Sequence, residues 1–186
     1  LEGPFGDHTG YYSQDGDYPV LHLTAITHRK DPVYLTTIVG KPPQEDFYLG
    51  RATERIFLPL LKTQLPEIVD MDMPVEGVFH NCVIVAIDKR YPMQSRQVMN
   101  ALWGLGQMSF VKTIVVVDAE VNVHEYEEVA KILLGTVDYE TDLFFSEGIL
   151  DVLNHASDQV LYGSKLGIDL TTKIEGEPGY DKEVPS

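Results

Sequence analysis

The first residues of the chain bring two carboxylates close together. Glu2 and Asp7 lie five residues apart in the segment EGPFGDHTGYY, residues 2–12, with Gly and Pro between them. Glycine allows backbone angles closed to other residues and proline fixes one dihedral angle, so this segment can fold back and direct both acids into one pocket. Two carboxyl groups in one dry pocket are suited to proton transfer. A Gly/Pro turn with two acids is also typical of a solvated loop, and the spacing alone leaves both interpretations open.

The same segment resembles the signature of the UbiD-type decarboxylases. Further segments resemble that family in the same order along the chain: Gly40-Lys41-Pro42-Pro43 with Glu45-Asp46, residues 64–70 (QLPEIVD), residues 115–118 (VVVD) leading to 121–123 (VNV), and residues 163–169 (GSKLGID). Each piece is weak by itself, but the ordered set is strong. The resemblance extends from Glu2 to about Lys173.

The resemblance implies a cofactor and a reaction. UbiD-type enzymes use prenylated flavin mononucleotide (prenylated FMN) to remove carboxyl groups from aromatic or unsaturated acids. Decarboxylation leaves an electron pair on carbon, and no side chain here can serve as the electron sink, so a cofactor must do so. The resemblance further implies that Asp7 returns a proton to the substrate, that Glu2 is its carboxylate partner, and that an arginine upstream of this chain completes their network.

Asp7 stands where some family members have glutamate. We associate this pattern with bacterial members that act on 4-hydroxybenzoate-like acids. Because the chemistry is reversible, the sequence leaves the direction of the reaction open.

Six further residues are candidates for contact with the bound acid: His8, Ile38, Met108, Phe110, Ile149 and Leu150. His8 follows Asp7 directly, and it either faces the substrate or caps the turn. The other five are apolar, and their types alone favour ordinary core positions. The resemblance, however, implies that segments like theirs lie close to the bound acid.

Other kinds of site have little support. Residues 163–167 (GSKLG) lack the spacing of a phosphate-binding loop. The six histidines show neither i, i+4 pairs nor clusters with cysteine, so we expect no metal ligands in this chain. Cys82 lies in an apolar stretch and is expected to be a buried, inert thiol, and no G-x-S-x-G elbow is present. The resemblance implies that ligands for manganese, for potassium and for most of the flavin lie upstream of Leu1.

Composition limits the partners. Fourteen basic and twenty-nine acidic residues give a net charge of -15, and residues 118–151 hold ten acids against Lys131 alone. Such a surface repels phosphate backbones, so we expect no binding to nucleic acid. No apolar run approaches the roughly 18 residues that indicate a membrane span, and no secretory signal is visible. We therefore predict a cytoplasmic protein.

The apolar pattern predicts strands and helices along most of the chain. Two strands, 18–27 and 33–39, are expected to form a hairpin that finishes a sheet begun upstream. After residue 44, helix and strand alternate, and the first helix should kink or divide at Pro59. Strands are predicted at 67–73, 81–87, 112–117 and 142–146. Helices are predicted at 124–134 and from Pro92 to an end near Gly104 or Gly106. This order predicts an α/β fold with a mixed open sheet flanked by helices.

We divide the chain into three parts. Residues 1–40 are interpreted as the C-terminal end of a split β-barrel domain that binds prenylated FMN, and 41–172 as a C-terminal α/β domain. Residues 173–186 form an acidic tail, expected to be exposed or ordered by a partner. Because Leu1 is not an initiator methionine, we expect a fragment of a longer protein, inactive by itself.

Two functional hypotheses follow. The first is part of a non-oxidative decarboxylase that acts on an aromatic or α,β-unsaturated acid, with a flavin prenyltransferase as cofactor supplier and a homo-oligomeric assembly. A polyprenylated substrate, as in ubiquinone or menaquinone biosynthesis, would add peripheral membrane association. The second is an association module that holds subunits together, in which EGPFGD is only a structural turn.

Overall fold

The computed structural model describes residues 1–180 of the chain. It contains a long helix, a mixed sheet and two shorter helices. In chain order the elements are α1 (Glu45–Gln64), β1 (Ile68–Asp72), β2 (Cys82–Ile87), α2 (Gln94–Trp103), β3 (Thr113–Asp118), α3 (Tyr126–Thr136), β4 (Leu143–Ile149) and β5 (Tyr162–Asp169). Short 3-10 helices occupy Val75–Gly77 and Gly106–Phe110.

The sheet has five strands in the order β1-β2-β3-β5-β4. The three central strands β2, β3 and β5 are parallel, and β1 and β4 run antiparallel to their neighbours at the two edges. The predicted α/β fold with a mixed open sheet is therefore confirmed.

Both faces of the sheet are covered, which explains the continuous apolar runs in β2 and β3. Alternate residues of a strand point to opposite faces. Val83 and Val85 of β2 pack in one core with α1 and α2, whereas Ile84 and Ala86 pack in a second core with α3.

Several predicted boundaries are close to those observed. Of the two outcomes expected at Pro59, division of α1 is wrong, because the helix continues through this residue to Gln64, whereas a kink there stays a prediction. At the end of α2, the backbone N–H of Gly104 donates to the carbonyl of Asn100, as expected for a helix that ends at glycine.

The predicted hairpin of residues 18–39 is wrong. These residues form no strand, and their side chains are exposed, including Leu21 at 80% and Leu35 at 91%. A two-stranded hairpin is marginally stable without a surface that covers one of its faces. The described part of this chain provides no such surface for residues 18–39.

Strand β5 was not predicted. It begins at Tyr162 and includes the GSKLG motif, where two glycines and a lysine interrupt the apolar alternation. Gly167 lies against α2, and a Cβ atom at this position would stand 2.4 Å from Sδ of Met99. A missing side chain, rather than an apolar one, therefore allows this strand to pack.

Candidate active site

The Glu2–Gly16 segment folds back on itself as a compact loop. The backbones of Glu2 and Gly16 exchange hydrogen bonds of 2.8 and 3.0 Å, which closes the loop at its base. At its tip, the N–H of Gly10 donates to the carbonyl of Asp7. Gly10 has φ +83°, in the left-handed region that glycine adopts without strain. Glycine thus allows the tight turn that follows Asp7.

Asp7 is held by the residue after it. Oδ1 of Asp7 accepts hydrogen bonds from the backbone N–H of His8 at 2.7 Å and lies 2.8 Å from Nδ1 of its ring. The same Nδ1 lies 3.6 Å from Oδ2 of Asp46, in the first turn of α1. The side chains of Asp7 and His8 are only 14% and 13% exposed. The carboxylate therefore has a fixed orientation and limited access to water.

Glu2 and Asp7 line the same cleft, whose volume is about 400 Å³. A second wall comes from residues 152–161, which follow β4. It consists of four apolar and four polar residues: Val152, Leu153, Val160 and Leu161, and Asn154, His155, Ser157 and Gln159. His155 of this wall contacts the loop directly, since its Nε2 lies 3.1 Å from Oγ1 of Thr9. The cleft thus combines two carboxylates with apolar and uncharged polar side chains.

A second histidine lies beside His8. The ring centroid of His8 lies 5.6 Å from that of His80, with the two rings edge to face, and 5.9 Å from the ring centroid of Phe79. Val78 and Phe79, just before His80, have φ of 46° and 68°. Two successive left-handed residues that are not glycine, one of them β-branched, indicate a strained turn. This turn directs Phe79 and His80 toward the loop that holds Asp7.

The ring of His80 is in a dry environment. Neither of its nitrogens has a hydrogen-bond partner among residues 1–180, and the same holds for Nε2 of His8. Burial lowers the pKa of His80, and the charge of His8 adds to this change. The charges of Asp151 and Asp7 and the neighbouring side chain of Asn81, which lies outside ideal hydrogen-bond geometry, oppose it. His80 is therefore neutral near pH 7.

Neither His8 nor the remaining predicted pocket residues are among the residues that line this cleft. Ile38 is 85% exposed, Ile149 is 49% exposed, and Leu150 is buried. Met108 packs against the core beneath α2, and Phe110 is half-buried. Their contact with a substrate stays a prediction.

The prediction of functional residues missed His80 and the apolar wall. No spacing rule links His80 to a histidine 72 positions earlier, because only the folded chain brings them together. The wall lies in residues 152–161, where the periodicity had already faded.

A larger cleft of about 570 Å³ lies at the carboxyl ends of β3 and β5. Its acidic side chains are already used. Asp118 accepts from Thr172, Asp142 pairs with Lys173 at 2.8 Å, and Asp169 accepts from Ser95 at 2.6 Å. These contacts hold residues 171–173 against the sheet.

The start of the predicted tail is also held in place. Glu177 is 7% exposed, and its Oε2 lies 2.5 Å from Nζ of Lys89. The expectation of an exposed tail is therefore wrong at Glu177, whereas residues 181–186 lie outside the described part of the chain.

Two further buried polar groups belong to the scaffold. Lys165 of β5 is 3% exposed, and its Nζ donates to the carbonyls of Ser109 and Val111 at 2.6 and 2.9 Å. Burial lowers the pKa of Lys165 to about 8. Asp72 has a fully buried side chain that accepts from the Tyr126 hydroxyl at 2.6 Å. Asp72 also lies 2.8 Å from Nδ1 of His124.

Among residues 1–180, no group of three or more His, Cys, Asp or Glu side chains could hold a metal ion. Within the same part of the chain, none of the helices has the length and apolar character needed to span a bilayer. The thiol of Cys82 is free, and burial raises its pKa to about 11. An un-ionised thiol is a poor nucleophile, so Cys82 is not a candidate for catalysis.

Comparison with known proteins yields two family models that together match most of the chain. Residues 47–170 match the 3-octaprenyl-4-hydroxybenzoate carboxy-lyase C-terminal domain, and residues 1–42 match the Rift-related domain of the same enzyme. An uncharacterized protein of Aquifex aeolicus is 55% identical over 184 residues, which are 99% of this chain and 38% of that protein. The chain thus spans well under half the length of this relative.

Solved structures give the same assignment. Vanillic acid decarboxylase of Sedimentibacter hydroxybenzoicus in its closed form has a TM-score of 0.84 at 25% identity, covering 100% of this chain and 39% of that one. The UbiD-class enzyme HmfF from Pelotomaculum thermopropionicum, in complex with FMN, has a TM-score of 0.74 at 28% identity, covering 100% and 41%. An evolved dimeric form of HmfF in complex with prFMN has a TM-score of 0.66 at 26% identity, covering 98% and 40%. The chain therefore belongs to the UbiD family, the family of 3-octaprenyl-4-hydroxybenzoate carboxy-lyase.

Proposed function

We propose that this chain supplies the proton donor and part of the substrate pocket of a non-oxidative, reversible carboxy-lyase that depends on prenylated FMN. The observation that carries this proposal is the cleft shared by Glu2 and Asp7, whose second wall contributes four apolar side chains. The division into a flavin-domain end, residues 1–40, and an α/β domain, residues 41–172, is part of the same proposal.

The cleft suits the substrate and its proton donor better than the whole cofactor. Its lining residues include two carboxylates and several apolar side chains but no lysine or arginine that could hold a phosphate. We therefore assign the binding of the flavin phosphate, and of manganese and potassium, to residues outside this chain. When bound, the prenylated flavin supplies the electron sink that decarboxylation requires.

Asp7 is suited to return the proton. Its carboxyl group is mostly shielded from water and is fixed by two contacts with His8. A positioned acid that cycles one proton in each turnover is what replacement of a carboxylate by hydrogen requires. Glu2 adds a second negative charge to the cleft, which we propose is offset by an arginine outside this chain.

The apolar wall favours an acid with a flat, apolar body. Vanillic acid, the substrate named for the Sedimentibacter relative, is an aromatic acid of this kind. We propose a 4-hydroxybenzoate-like or α,β-unsaturated acid as the substrate. A polyprenylated form would connect the enzyme to ubiquinone or menaquinone biosynthesis and to the membrane surface.

We further propose a cytoplasmic homo-oligomer that receives its cofactor from a flavin prenyltransferase. The exposed apolar side chains of residues 18–39 support a larger assembly, because surfaces of this kind are usually covered. The isolated chain is expected to be inactive, since the flavin-binding residues lie elsewhere.

The test uses the full-length protein, produced together with a flavin prenyltransferase. We expect release of CO2 from one or more aromatic acids, and exchange of the product C–H with deuterium from the solvent. Asp7→Asn should abolish both, because the amide cannot donate an acidic proton.

Asp15→Asn is the matched control, since Asp15 is an exposed acid of the same loop that does not line the cleft. This variant should keep its turnover. Near-normal turnover of Asp7→Asn would remove Asp7 from the mechanism, and failure of the folded wild type to bind flavin would refute the proposed function.

A further inference from the structure

The ring of His8, and that of His80 beside it, could reload Asp7 with a proton. After Asp7 has given its proton to the substrate carbon, it must recover one before the next turnover. Its carboxylate is largely shielded from water, and the nearest ring nitrogen is Nδ1 of His8, at 2.8 Å. Because Nδ1 faces a carboxylate, it carries the hydrogen of a neutral ring when Asp7 is ionised, which leaves Nε2 as an acceptor.

The acceptor side of His8 is directed into the protein, next to His80. Nε2 of His8 and both ring nitrogens of His80 are buried without a protein partner among residues 1–180. Buried polar atoms are nearly always satisfied by protein or by ordered water. Edge-to-face rings with centroids 5.6 Å apart are within the reach of one bridging water. A water between the two imidazoles would satisfy two of these nitrogens and connect the rings.

The backbone supports a functional role for this arrangement. The left-handed conformations of Val78 and Phe79 are unfavourable, and such strain is concentrated at functional sites. On α1, a Cβ atom at Gly50 would lie 3.1 Å from the ring of Phe79, so the absence of a side chain at Gly50 gives this ring its place. The turn before His80 is thus accommodated by the helix beneath it.

We propose that His8 and His80 form a proton relay that reloads Asp7 from solvent between turnovers. This inference rests on the proposed function of Asp7 as proton donor. The Nδ1 hydrogen of His8 passes to the carboxylate of Asp7, and Nε2 of His8 takes a hydrogen from His80 through the bridging water. His80 then recovers a proton on its other ring nitrogen, which is also buried, from solvent through a second ordered water. Each ring gains one proton and loses one, so the net result is transfer of one proton from solvent to Asp7.

The charged groups around the relay agree with this direction. Asp7 and Asp46 face His8, and Asp151 acts on His80 from the segment after β4. These three acids attract protons toward the two rings. The lowered pKa of His80 keeps its ring neutral, with one donor and one acceptor nitrogen, as a relay requires.

The test compares first and later turnovers of the full-length holoenzyme. In His80→Phe, Asp7 starts with its proton, so the first turnover should keep its wild-type rate. Later turnovers should slow by about tenfold or more, which gives a pre-steady-state burst of product. Added imidazole should restore part of the steady-state rate.

A second variant separates proton relay from hydrogen bonding. His80→Gln keeps a donor and an acceptor but cannot exchange its protons as imidazole does, so it should show the same burst as His80→Phe. His28→Gln is the control, because its ring contacts only the carbonyl of Arg29 and it should behave as wild type. Melting temperatures of all variants establish that they are folded.

A readout without cofactor comes from NMR of histidine-labelled full-length protein. We expect His8 to be hydrogenated at Nδ1 and this preference to be lost in Asp7→Asn.

The outcomes distinguish the relay from the proposed function. If the wild type decarboxylates no acid, the proposed function fails. If the wild type and Asp7→Asn behave as expected, the relay alone is refuted by either of two results: His80→Phe or His80→Gln with wild-type steady-state turnover, or a first turnover slowed as much as the later ones.

Discussion

Replacing Lys165 by methionine should remove a rise of stability with pH. Lys165 is an ammonium buried in β5. Within residues 1–180 it donates to the carbonyls of Ser109 and Val111 and pairs with no carboxylate. Methionine keeps a chain of similar length but carries no charge. The carbonyl of Val111 retains a donor in the indole N–H of Trp103, at 3.0 Å, whereas that of Ser109 loses its donor.

The magnitude follows from the two pKa values of the lysine. Burial lowers its pKa from the ordinary 10.5 to about 8 in the folded protein. Between these values the unfolded chain binds more protons than the folded one, so the free energy of unfolding rises with pH. At about 1.36 kcal/mol per pKa unit, the rise amounts to roughly 1 kcal/mol between pH 7 and pH 9 and to roughly 2 to 3 kcal/mol by pH 10.

The assay is urea denaturation of wild type and Lys165→Met at a series of pH values from 7 to 10. The difference between the two stability curves isolates Lys165, because other groups are present in both proteins. The raised pKa of Cys82, for example, lowers stability as the pH rises from 9 toward 11 in either protein. Lys131→Met, at an exposed position on α3, serves as the control and should leave the pH dependence unchanged.

Stability at pH 7 alone does not test the reasoning. Removing the buried charge stabilises the fold, but the unpaired carbonyl of Ser109 costs about 1 to 3 kcal/mol, and the two effects oppose each other. The slope with pH is the decisive quantity. If the difference between wild type and Lys165→Met stays constant from pH 7 to pH 10, Lys165 is not destabilised in its charged form and the argument is refuted.

Two further predictions concern the scaffold, and both are measured by chemical denaturation. Gly167→Ala should destabilise the protein by about 1 to 3 kcal/mol, because the new Cβ would stand 2.4 Å from Sδ of Met99. Met99→Ala should relieve part of that loss in a double-mutant cycle, and strictly additive losses would contradict the clash. Asp72→Asn should cost about 3 kcal/mol, since its buried carboxylate is paired with His124. Asp70→Asn, at a side chain 33% exposed, should cost less than about 1 kcal/mol, and equal effects would contradict the role of burial.

Strands β2 and β3 could be predicted because their residues are almost all apolar, which indicates that they are buried. The runs of β2 and β3 are apolar on both faces, and such runs occur where helices cover both sides of a sheet. The helices were also predictable, since their apolar positions recur at three- and four-residue intervals. In these elements the local pattern and the tertiary environment agree.

Two segments show where the local pattern is insufficient. Residues 18–39 carry the apolar alternation of strands, but a strand also needs a neighbour, and the described chain gives them none. β5 has the neighbours but not the pattern, because Gly167 and Lys165 pack through a close approach to α2 and through buried hydrogen bonds. Neither property is visible in a hydrophobicity pattern.

The candidate site also contains residues that the sequence could predict and one that it could not. Glu2 and Asp7 are close in sequence, and the glycines and proline around them indicate a turn, so their shared position could be anticipated. His80 could not, because it reaches His8 only after α1, β1 and the strained turn at Val78 have taken their places. The spacing of residues in the sequence does not predict contacts between residues that are far apart along the chain.

The position of β5 affects how the protein can fold during its synthesis. On the ribosome, β3 and β4 emerge before the strand that separates them in the sheet, so they cannot simply pair in their order of appearance. Until residues 162–169 have left the exit tunnel, one edge of β3 stays open to any other nascent chain with an unpaired strand. A stalled or truncated translation product that ends before Tyr162 is therefore a substrate for chaperones rather than a smaller folded unit.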